Sequence, residues 1–119
     1  MRIAVSSEGQ QPSSMVDPRF GRAKWFILYD TESEIFESFD NSQVLNLPQG
    51  AGIQAAQQVI DRKAEVVLTG HCGPNAFKTL LAGEVQVVVG ASGTVLEAVN
   101  KYQKGDLKPA DSADVDGHW

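Results

Sequence analysis

One segment of the chain, residues 69–75, places a histidine and a cysteine side by side between glycines. His71 and Cys72 carry imidazole and thiol groups, which are common ligands of soft and borderline metals. Gly70 and Gly73 allow the backbone to turn tightly or to approach a ligand closely. A His-Cys pair alone is more often an exposed loop histidine beside a small buried cysteine. Whether this pair belongs to a binding site or to an ordinary turn must therefore be judged from the residues around it.

The start of a helix follows this pair. Pro74 suits the first helical position, and Phe77, Leu80 and Leu81 recur at helical spacing behind it. The apolar run 65–68 in front of the pair is typical of a buried strand. Because a helix start exposes unpaired N–H groups and the positive end of the helix dipole, this strand-to-helix turn is a natural seat for an anion.

A second stretch with potential chemistry is the long polar loop of residues 6–22, which becomes basic at its end. Arg19, Arg22 and Lys24 follow Asp17 in a chain that is acidic overall. Loops of this length inside a compact domain are usually functional or disordered. A solvated surface loop is the alternative interpretation at this point.

Composition limits the classes of protein to consider. The 119 residues are enough for one domain with a proper core, and 42% apolar with 21% charged residues is ordinary for a globular protein. A net charge of −5 argues against a basic surface that binds nucleic acid. No apolar run approaches the ~18 residues of a membrane span, and the apolar start is too short for a signal peptide. One cysteine excludes an internal disulfide, so we expect a reducing cytoplasm.

Short apolar runs predict five strands, and helical periodicity predicts three helices. The strands are expected at 2–5, 24–30, 34–39, 65–68 and 85–89, with the second and third forming a hairpin. Residues 41–49 are expected to be a connector. The helices are expected at 49–63, from Pro74 to a stop at Gly83, and from a cap at Thr94 to a stop at Gly105.

Two of these helices carry more specific signals. Ile53, Ala56 and Ile60 fall at helical spacing and are predicted to form the buried stripe of the first helix. Thr94 with Glu97 three residues later matches a capping box. The first signal predicts which side of its helix is buried, and the second predicts where its helix begins.

The predicted order of elements brings the unusual segments together. Strands that alternate with helices are parallel through right-handed crossovers, and the first strand should lie beside them. Ligands of open α/β sheets bind outside the carboxyl ends of such strands. Loops 6–22, 69–73 and 90–93 all leave those ends. Their backbone donors, guanidinium groups, imidazole and thiol favour a bulky anion, including a metal-containing one, over an apolar ligand.

The sequence offers little support for catalysis. It contains no Gly-x-Ser-x-Gly elbow, and the glycine-rich turn 90–94 lacks the lysine of a Walker motif. Residues 50–52 are only the start of a dinucleotide fingerprint. A small phosphohydrolase remains a weaker alternative, because the ends of the central strands lack the carboxylates that a two-metal site needs. Two histidines and one cysteine cannot fill a closed zinc site without carboxylates.

Several segments resemble the dinitrogenase iron–molybdenum cofactor biosynthesis family, of the NifX type and similar to the C-terminal domain of NifB. The most specific are Phe20-Gly21-Arg22-Ala23 and Gly73-Pro74-Asn75-Ala76. The resemblance covers about residues 1–105, and the acidic residues 106–119 are predicted to be a mobile tail. The matching segments are 1–6, 16–23, 50–52, 69–76 and 93–98.

For residues 1–105 the resemblance implies an α/β protein with a three-layer α/β/α ribonuclease H-like fold and a five-stranded mixed sheet, order 3-2-1-4-5 with strand 2 antiparallel. It also implies non-enzymatic binding or carrying of a metal–sulfur cluster. The cluster would be of the molybdenum–copper sulfide type, as in the orange-protein subgroup, or of the iron–molybdenum type, and recombinant protein can lack it. A MinD/Mrp-type ATPase is an implied partner, and a cluster-free interaction or regulatory module for such an ATPase is the alternative function. We expect a monomer or a weak dimer.

The shared edge and the resemblance together predict the cluster-binding residues, with His71 and Cys72 as candidate metal ligands. Docking through donors and positive charge is favoured over direct ligation by Cys72, because one thiol and one imidazole are too few to hold a cluster alone. The predicted set is Arg19, Phe20, Gly21, Arg22, Thr69, Gly70, His71, Cys72, Gly73, Pro74, Asn75, Gly90, Ser92 and Gly93.

Overall fold

A five-stranded sheet with helices on both faces makes up the computed structural model, which describes residues 1–42 and 50–113. The strands are β1 (Arg2–Ser7), β2 (Trp25–Asp30), β3 (Ile35–Asp40), β4 (Val66–Leu68) and β5 (Gln86–Val88). The helices are α1 (Ala51–Asp61), α2 (Pro74–Ala82) and α3 (Val95–Gln103). Within the described ranges no helix is long and apolar enough to cross a membrane.

The sheet has the strand order β3-β2-β1-β4-β5, which confirms the predicted order. β2 runs antiparallel to both β1 and β3, whereas β1, β4 and β5 are parallel to one another. The hairpin turn is stabilised by the Asp30 carboxylate, whose Oδ1 accepts the N–H groups of Glu32 at 2.9 Å and Ser33 at 3.4 Å. The parallel strands therefore end at one edge, where the three loops of interest leave the sheet.

Alternation of side chains along the strands divides the core into two layers, since successive residues of a strand face opposite sides. Ala4 of β1 packs on the side covered by α1 and α2, while Ile3 and Val5 pack on the side covered by α3. Val59 of α1 and Leu80 of α2 are fully buried in the first layer, and Val95 of α3 is fully buried in the second. The three-layer α/β/α arrangement is thereby confirmed.

The buried face of α1 differs from the predicted stripe. Ala56 is buried as expected, but Ile53 and Ile60 are only half-buried. Small residues form the close contact instead, because Gly52 approaches α2 so tightly that a Cβ there would lie 3.1 Å from the Ala76 Cβ. On α2, Leu81 is likewise 49% exposed although it shares the helical spacing. The residues of α1 that are buried are Ala51, Ala55, Ala56 and Val59.

The predicted ends of α2 and the predicted cap of α3 are confirmed, and α3 ends at Gln103, with Lys104 as its C-cap and Gly105 following at a φ of 84°. Pro74 occupies the first turn of α2, and Gly83 is its C-terminal cap. In α3 the Thr94 Oγ1 accepts the Glu97 N–H at 3.1 Å, and the Thr94 N–H donates to Glu97 Oε1 at 2.9 Å. The connector prediction, and the predicted helix start at residue 49, fall largely on residues 43–49, which lie outside the described residues.

Beyond α3 the chain passes around the β5 edge of the sheet. Leu107 packs against the core layer under α3, whereas Ala110 and Ala113 pack against the layer under α1 and α2. The Ala110 N–H donates to the Val87 O at 2.7 Å. Residues 106–113 of the segment predicted to be a mobile tail thus contact the domain, and residues 114–119 lie outside the described residues.

Candidate functional site

The basic end of the long loop lies directly against the His-Cys segment. Arg19 and His71 form an isolated parallel β-bridge. The His71 N–H donates to the Pro18 O at 2.7 Å, and the Phe20 N–H donates to the His71 O at 3.2 Å. Two segments separated by about fifty residues are therefore held in a fixed register by backbone hydrogen bonds.

The glycine-rich turn after β5 completes the same edge. The Gly90 N–H donates to the Gly70 O at 2.9 Å, and the Ala91 N–H donates to the Thr69 O at 3.0 Å. Farther along the turn, the Gly93 O accepts the Val16 N–H at 2.9 Å. The three loops thus meet through main-chain groups, as the order of elements predicts.

A buried pair of hydroxyl groups lies beneath these loops. Ser6 Oγ and Thr69 Oγ1 are 2.7 Å apart, and the Ser6 hydroxyl donates to the Asp17 O at 2.7 Å. The Thr69 hydroxyl must then donate to Ser6, so its polar group is used inside the protein. Both side chains are fully buried. Sequence reasoning missed Ser6, although a polar residue ending an apolar strand was a signal of such an internal contact.

Two glycines in the predicted set serve close packing of the backbone. A Cβ at Gly70 would lie 2.7 Å from the Pro18 Cα, and a Cβ at Gly21 would lie 2.8 Å from the Gly52 Cα. Real Cβ atoms do not approach so closely, and crowding of this kind forces the backbone apart. The glycines therefore allow the loop to lie against both the His-Cys segment and the start of α1.

The first turn of α2 offers backbone donors at this edge. Its N-cap, Gly73, provides no side-chain acceptor, and Pro74 has no N–H to satisfy. In the part of the chain that the structure describes, the Asn75 and Ala76 N–H groups donate no hydrogen bond. Asn75 is also exposed. An anion placed here would meet two donors and the positive end of the helix dipole.

The N–H groups in the first turn of α3 already have hydrogen-bond acceptors within the protein. The Val95 and Leu96 N–H groups donate at 2.9 Å to the Ser14 and Pro12 carbonyls of the long loop. The capping box accounts for the N–H groups of Thr94 and Glu97. The Thr94 N–H also holds the pKa of the Glu97 carboxyl below its ordinary value. This helix start, next to the predicted Gly93, therefore has no donors to offer a ligand.

The predicted side chains differ in their access to solvent. Arg19 is exposed, and Arg22 and His71 are half-buried. Cys72 is fully buried, with its Sγ 3.7 Å from the Gly73 O, and the Phe20 ring packs in the core 5.2 Å from the ring of Phe26, centre to centre. Phe20 and Cys72 can therefore position the site but do not present their side chains at its surface. Gly90 and Ser92 are exposed, and Pro74 and Gly93 are half-buried.

Asp17 is a carboxylate at this edge that sequence reasoning did not select. Its Oδ1 accepts the Arg19 N–H at 3.0 Å, which forms a local turn of the kind that Asp commonly makes. Burial raises the pKa of the Asp17 carboxyl, and the hydrogen bond and charge of Arg19 oppose the rise. Glu8 adds to the rise in pKa by repulsion. The sequence Asp17-Pro18-Arg19 was the available signal.

The described residues of the site do not form a closed metal centre. Among residues 1–42 and 50–113 no group of three or more His, Cys, Asp or Glu side chains is arranged to hold a metal ion. Positive charge and backbone donors are what this edge provides. It is therefore better suited to an anion that brings its own ligands than to a bare metal ion.

Comparisons with known proteins agree on one family. Residues 1–105 match the family model described as "Dinitrogenase iron-molybdenum cofactor". The chain is 39% identical to the orange protein of Desulfovibrio gigas, solved in its apo form, over 96% of both chains with a TM-score of 0.94. It is 35% identical to a NifB-like protein of the DUF35 family from Thermotoga, over 96% of this chain and 98% of that one, with a TM-score of 0.82. No curated protein matches the chain.

Proposed function

Because its residues 1–105 match the family model, the chain belongs to the dinitrogenase iron–molybdenum cofactor family, and we propose that it binds and carries an anionic metal–sulfur cluster. The cluster is its cargo and is of the molybdenum–copper sulfide or iron–molybdenum type. The protein performs no chemistry on it. The 39% identity to the orange protein and the 35% identity to the NifB-like protein support this assignment.

The observation that carries the proposal is the bridge between Arg19 and His71. It joins the basic end of the long loop to the strand-to-helix turn in front of α2. The exposed Arg19 guanidinium and the Asn75 and Ala76 N–H groups then belong to one edge of the sheet. Guanidinium groups and helix-start amides are the two protein groups best suited to a multiply charged anion.

The described residues favour docking of a preformed cluster over its assembly on protein ligands. A sulfide-bridged anion already satisfies its metals, so the protein needs to supply only donors and positive charge. The full burial of Cys72 supports docking, since direct ligation requires the thiolate to reach the cargo. Arg19 and Arg22 would hold the anion, and Gly70 and Gly73 would keep the backbone in place beneath it.

An anaerobic titration tests the proposal. Tetrathiomolybdate is added to the protein, alone and with copper(I) or iron(II), and binding is followed by visible absorption and by metal and sulfide analysis. Hydrogen bonds to charged groups contribute about 1.5–3 kcal/mol each. Replacing Arg19 and Arg22 together by Ala should therefore weaken binding by about two orders of magnitude or more, with the fold retained.

The chain provides a matched control. Arg2 and Arg62 lie away from the candidate edge, where the Arg2 Nη1 donates to the Arg62 O at 2.9 Å. The Arg2→Ala/Arg62→Ala variant changes the net charge by the same amount and should retain cargo affinity. Equal loss of cargo affinity in both double variants would mean that the change in overall charge alone explains the weaker binding.

Cys72→Ser separates docking from direct ligation. Under docking the serine hydroxyl fits the same turn and most of the affinity remains. Full affinity in the double arginine variant together with complete loss in Cys72→Ser would establish ligation instead. If no cluster binds to wild-type protein isolated from its own host, the carrier function is excluded and the interaction module for a MinD/Mrp-type ATPase takes its place.

A further inference from the structure

A cleft opens at the end of the sheet opposite the candidate cargo site. It lies on the α1 side of the β2–β3 hairpin, where Leu28 pairs with Glu37 and Asp30 pairs with Ile35. Its volume is about 130 Å³. The lining residues are Arg2, Leu28, Asp30, Ser33, Ile35 and Glu37.

The size and the apolar part of the cleft indicate what kind of group it can hold. Sites for whole small molecules usually enclose about 300–1,000 Å³, so this cleft has room for a single side chain. Its apolar lining residues are Leu28, which is 7% exposed, and Ile35 of the edge strand, which is 56% exposed. An aliphatic chain can bury apolar surface against these two residues.

The charges around the cleft favour a cation. Residues 30–40 contain five carboxylates and no lysine or arginine. The Glu32 N–H in particular holds the pKa of the Asp30 carboxyl below its ordinary value, so Asp30 stays ionised. Two cations lie nearby: Arg2, which lines the cleft and donates to the Arg62 O at 2.9 Å, and the N-terminal ammonium, which lies 3.9 Å from the Glu65 carboxylate. Both charges also lower the pKa of Asp30, whereas Glu37 forms no ion pair within the described residues and is the lining carboxylate most open to a further cation.

We propose that this cleft is a docking site for a partner protein that inserts a lysine or arginine side chain. The aliphatic part of that side chain packs on Leu28 and Ile35, and its charged end binds the carboxylates of Asp30 and Glu37. Long cationic side chains combine these two kinds of contact well. Because the cleft and the cargo site lie at opposite ends of β1, the partner and the cargo can bind at the same time.

A titration of the full ¹⁵N-labelled chain tests the docking site. The probe is a synthetic peptide with one arginine between two leucines, and its control has glutamate in place of the arginine. Amide shifts should be largest at Leu28, Ser33, Ile35 and Glu37 with the arginine peptide and absent with the glutamate peptide. Shifts centred on the Arg19–His71 edge, or no shifts at millimolar peptide, would overturn the proposal.

Two charge reversals within the hairpin separate a cleft from a diffuse acidic surface. Glu37→Lys removes a lining carboxylate and should weaken peptide binding by about tenfold or more. Glu34→Lys makes the same change of charge in the same hairpin outside the cleft, and it should weaken binding by less than about threefold. Equal weakening by both variants would show that long-range attraction alone is responsible and would overturn the docking site.

Discussion

The helices α2 and α3 begin at the same edge of the sheet, yet their first turns are held in different ways. The first turn of α3 is closed by the Thr94–Glu97 capping box and by two carbonyls of the long loop. The first turn of α2 is positioned through the segment before it, by close backbone packing at Gly70 and by the main-chain hydrogen bonds of His71, and its own Asn75 and Ala76 N–H groups donate no hydrogen bond within the described ranges. Hydrogen bonds to the first-turn N–H groups themselves make a stable helix start, whereas positioning through the preceding segment leaves those donors for a ligand.

The largest effect on stability is expected from Gly70→Ala, which disturbs the packing in front of α2. The added Cβ would lie 2.7 Å from the Pro18 Cα, so the loop must move away. Overpacking of this kind typically costs about 1–3 kcal/mol. Denaturant unfolding should show this loss, and the cargo titration should show weaker binding because Arg19 moves with Pro18. Unchanged stability would mean that the two segments are not held in close contact.

A smaller effect is expected from Thr94→Ala, which opens the start of α3. Loss of an N-cap typically costs about 1 kcal/mol, and thermal unfolding should register it. Thr94→Ser keeps the hydroxyl and should restore most of the stability. Cargo affinity should not change in either variant. Weaker cargo binding in Thr94→Ala alone would show that the two helix starts are not independent.

Asn75→Asp should have opposite effects on stability and on binding. A carboxylate in the first turn of α2 interacts favourably with the helix dipole and should stabilise the protein by about 0.3–1 kcal/mol. The same charge repels an anionic cargo and should weaken its binding by roughly tenfold. Asn75→Gln, which adds no charge, is the control. Tighter binding in the Asp variant would contradict an anionic cargo.

The smallest effect is expected from Asp17→Asn, which removes the carboxylate beside the bridge. Because burial raises the pKa of Asp17, the folded protein holds the proton more tightly than the unfolded chain. This contribution to stability is complete below the ordinary pKa and is lost as the pH rises through the raised pKa. The variant should lack this pH dependence, with a change at neutral pH below about 0.5 kcal/mol. Steeper pH dependence in the variant would contradict this sign.

The sequence was most informative where a local pattern decides the structure. The capping box of Thr94 and Glu97, the start of α2 at Pro74 and its stop at Gly83 depend on neighbours within a few residues, and all three are present. The strand order followed from the resemblance and from the right-handed crossover rule. The meeting of the three loops at one edge followed from that order.

The sequence was less informative where distant segments meet. Periodicity selects Ile53 and Ile60 for the buried side of α1, but the close approach of Gly52 to Ala76 turns a face of small residues inward instead. The carbonyls of Pro12 and Ser14, which accept hydrogen bonds from the first turn of α3, belong to a loop about eighty residues away in the sequence. No local sequence pattern predicts these contacts. The burial of Phe20 and Cys72 likewise depends on packing that spacing does not encode.

The hydrogen bond from Ala110 to Val87 has a consequence for solubility. An uncovered edge strand is a template for a strand of another chain and a common route to aggregation. At one edge of this sheet, Ala110 occupies a backbone acceptor of β5. At the other edge, β3 carries the charges of Glu37 and Asp40. The segment after α3 and the acidic hairpin therefore protect opposite edges of the sheet, one by covering it and one by repulsion.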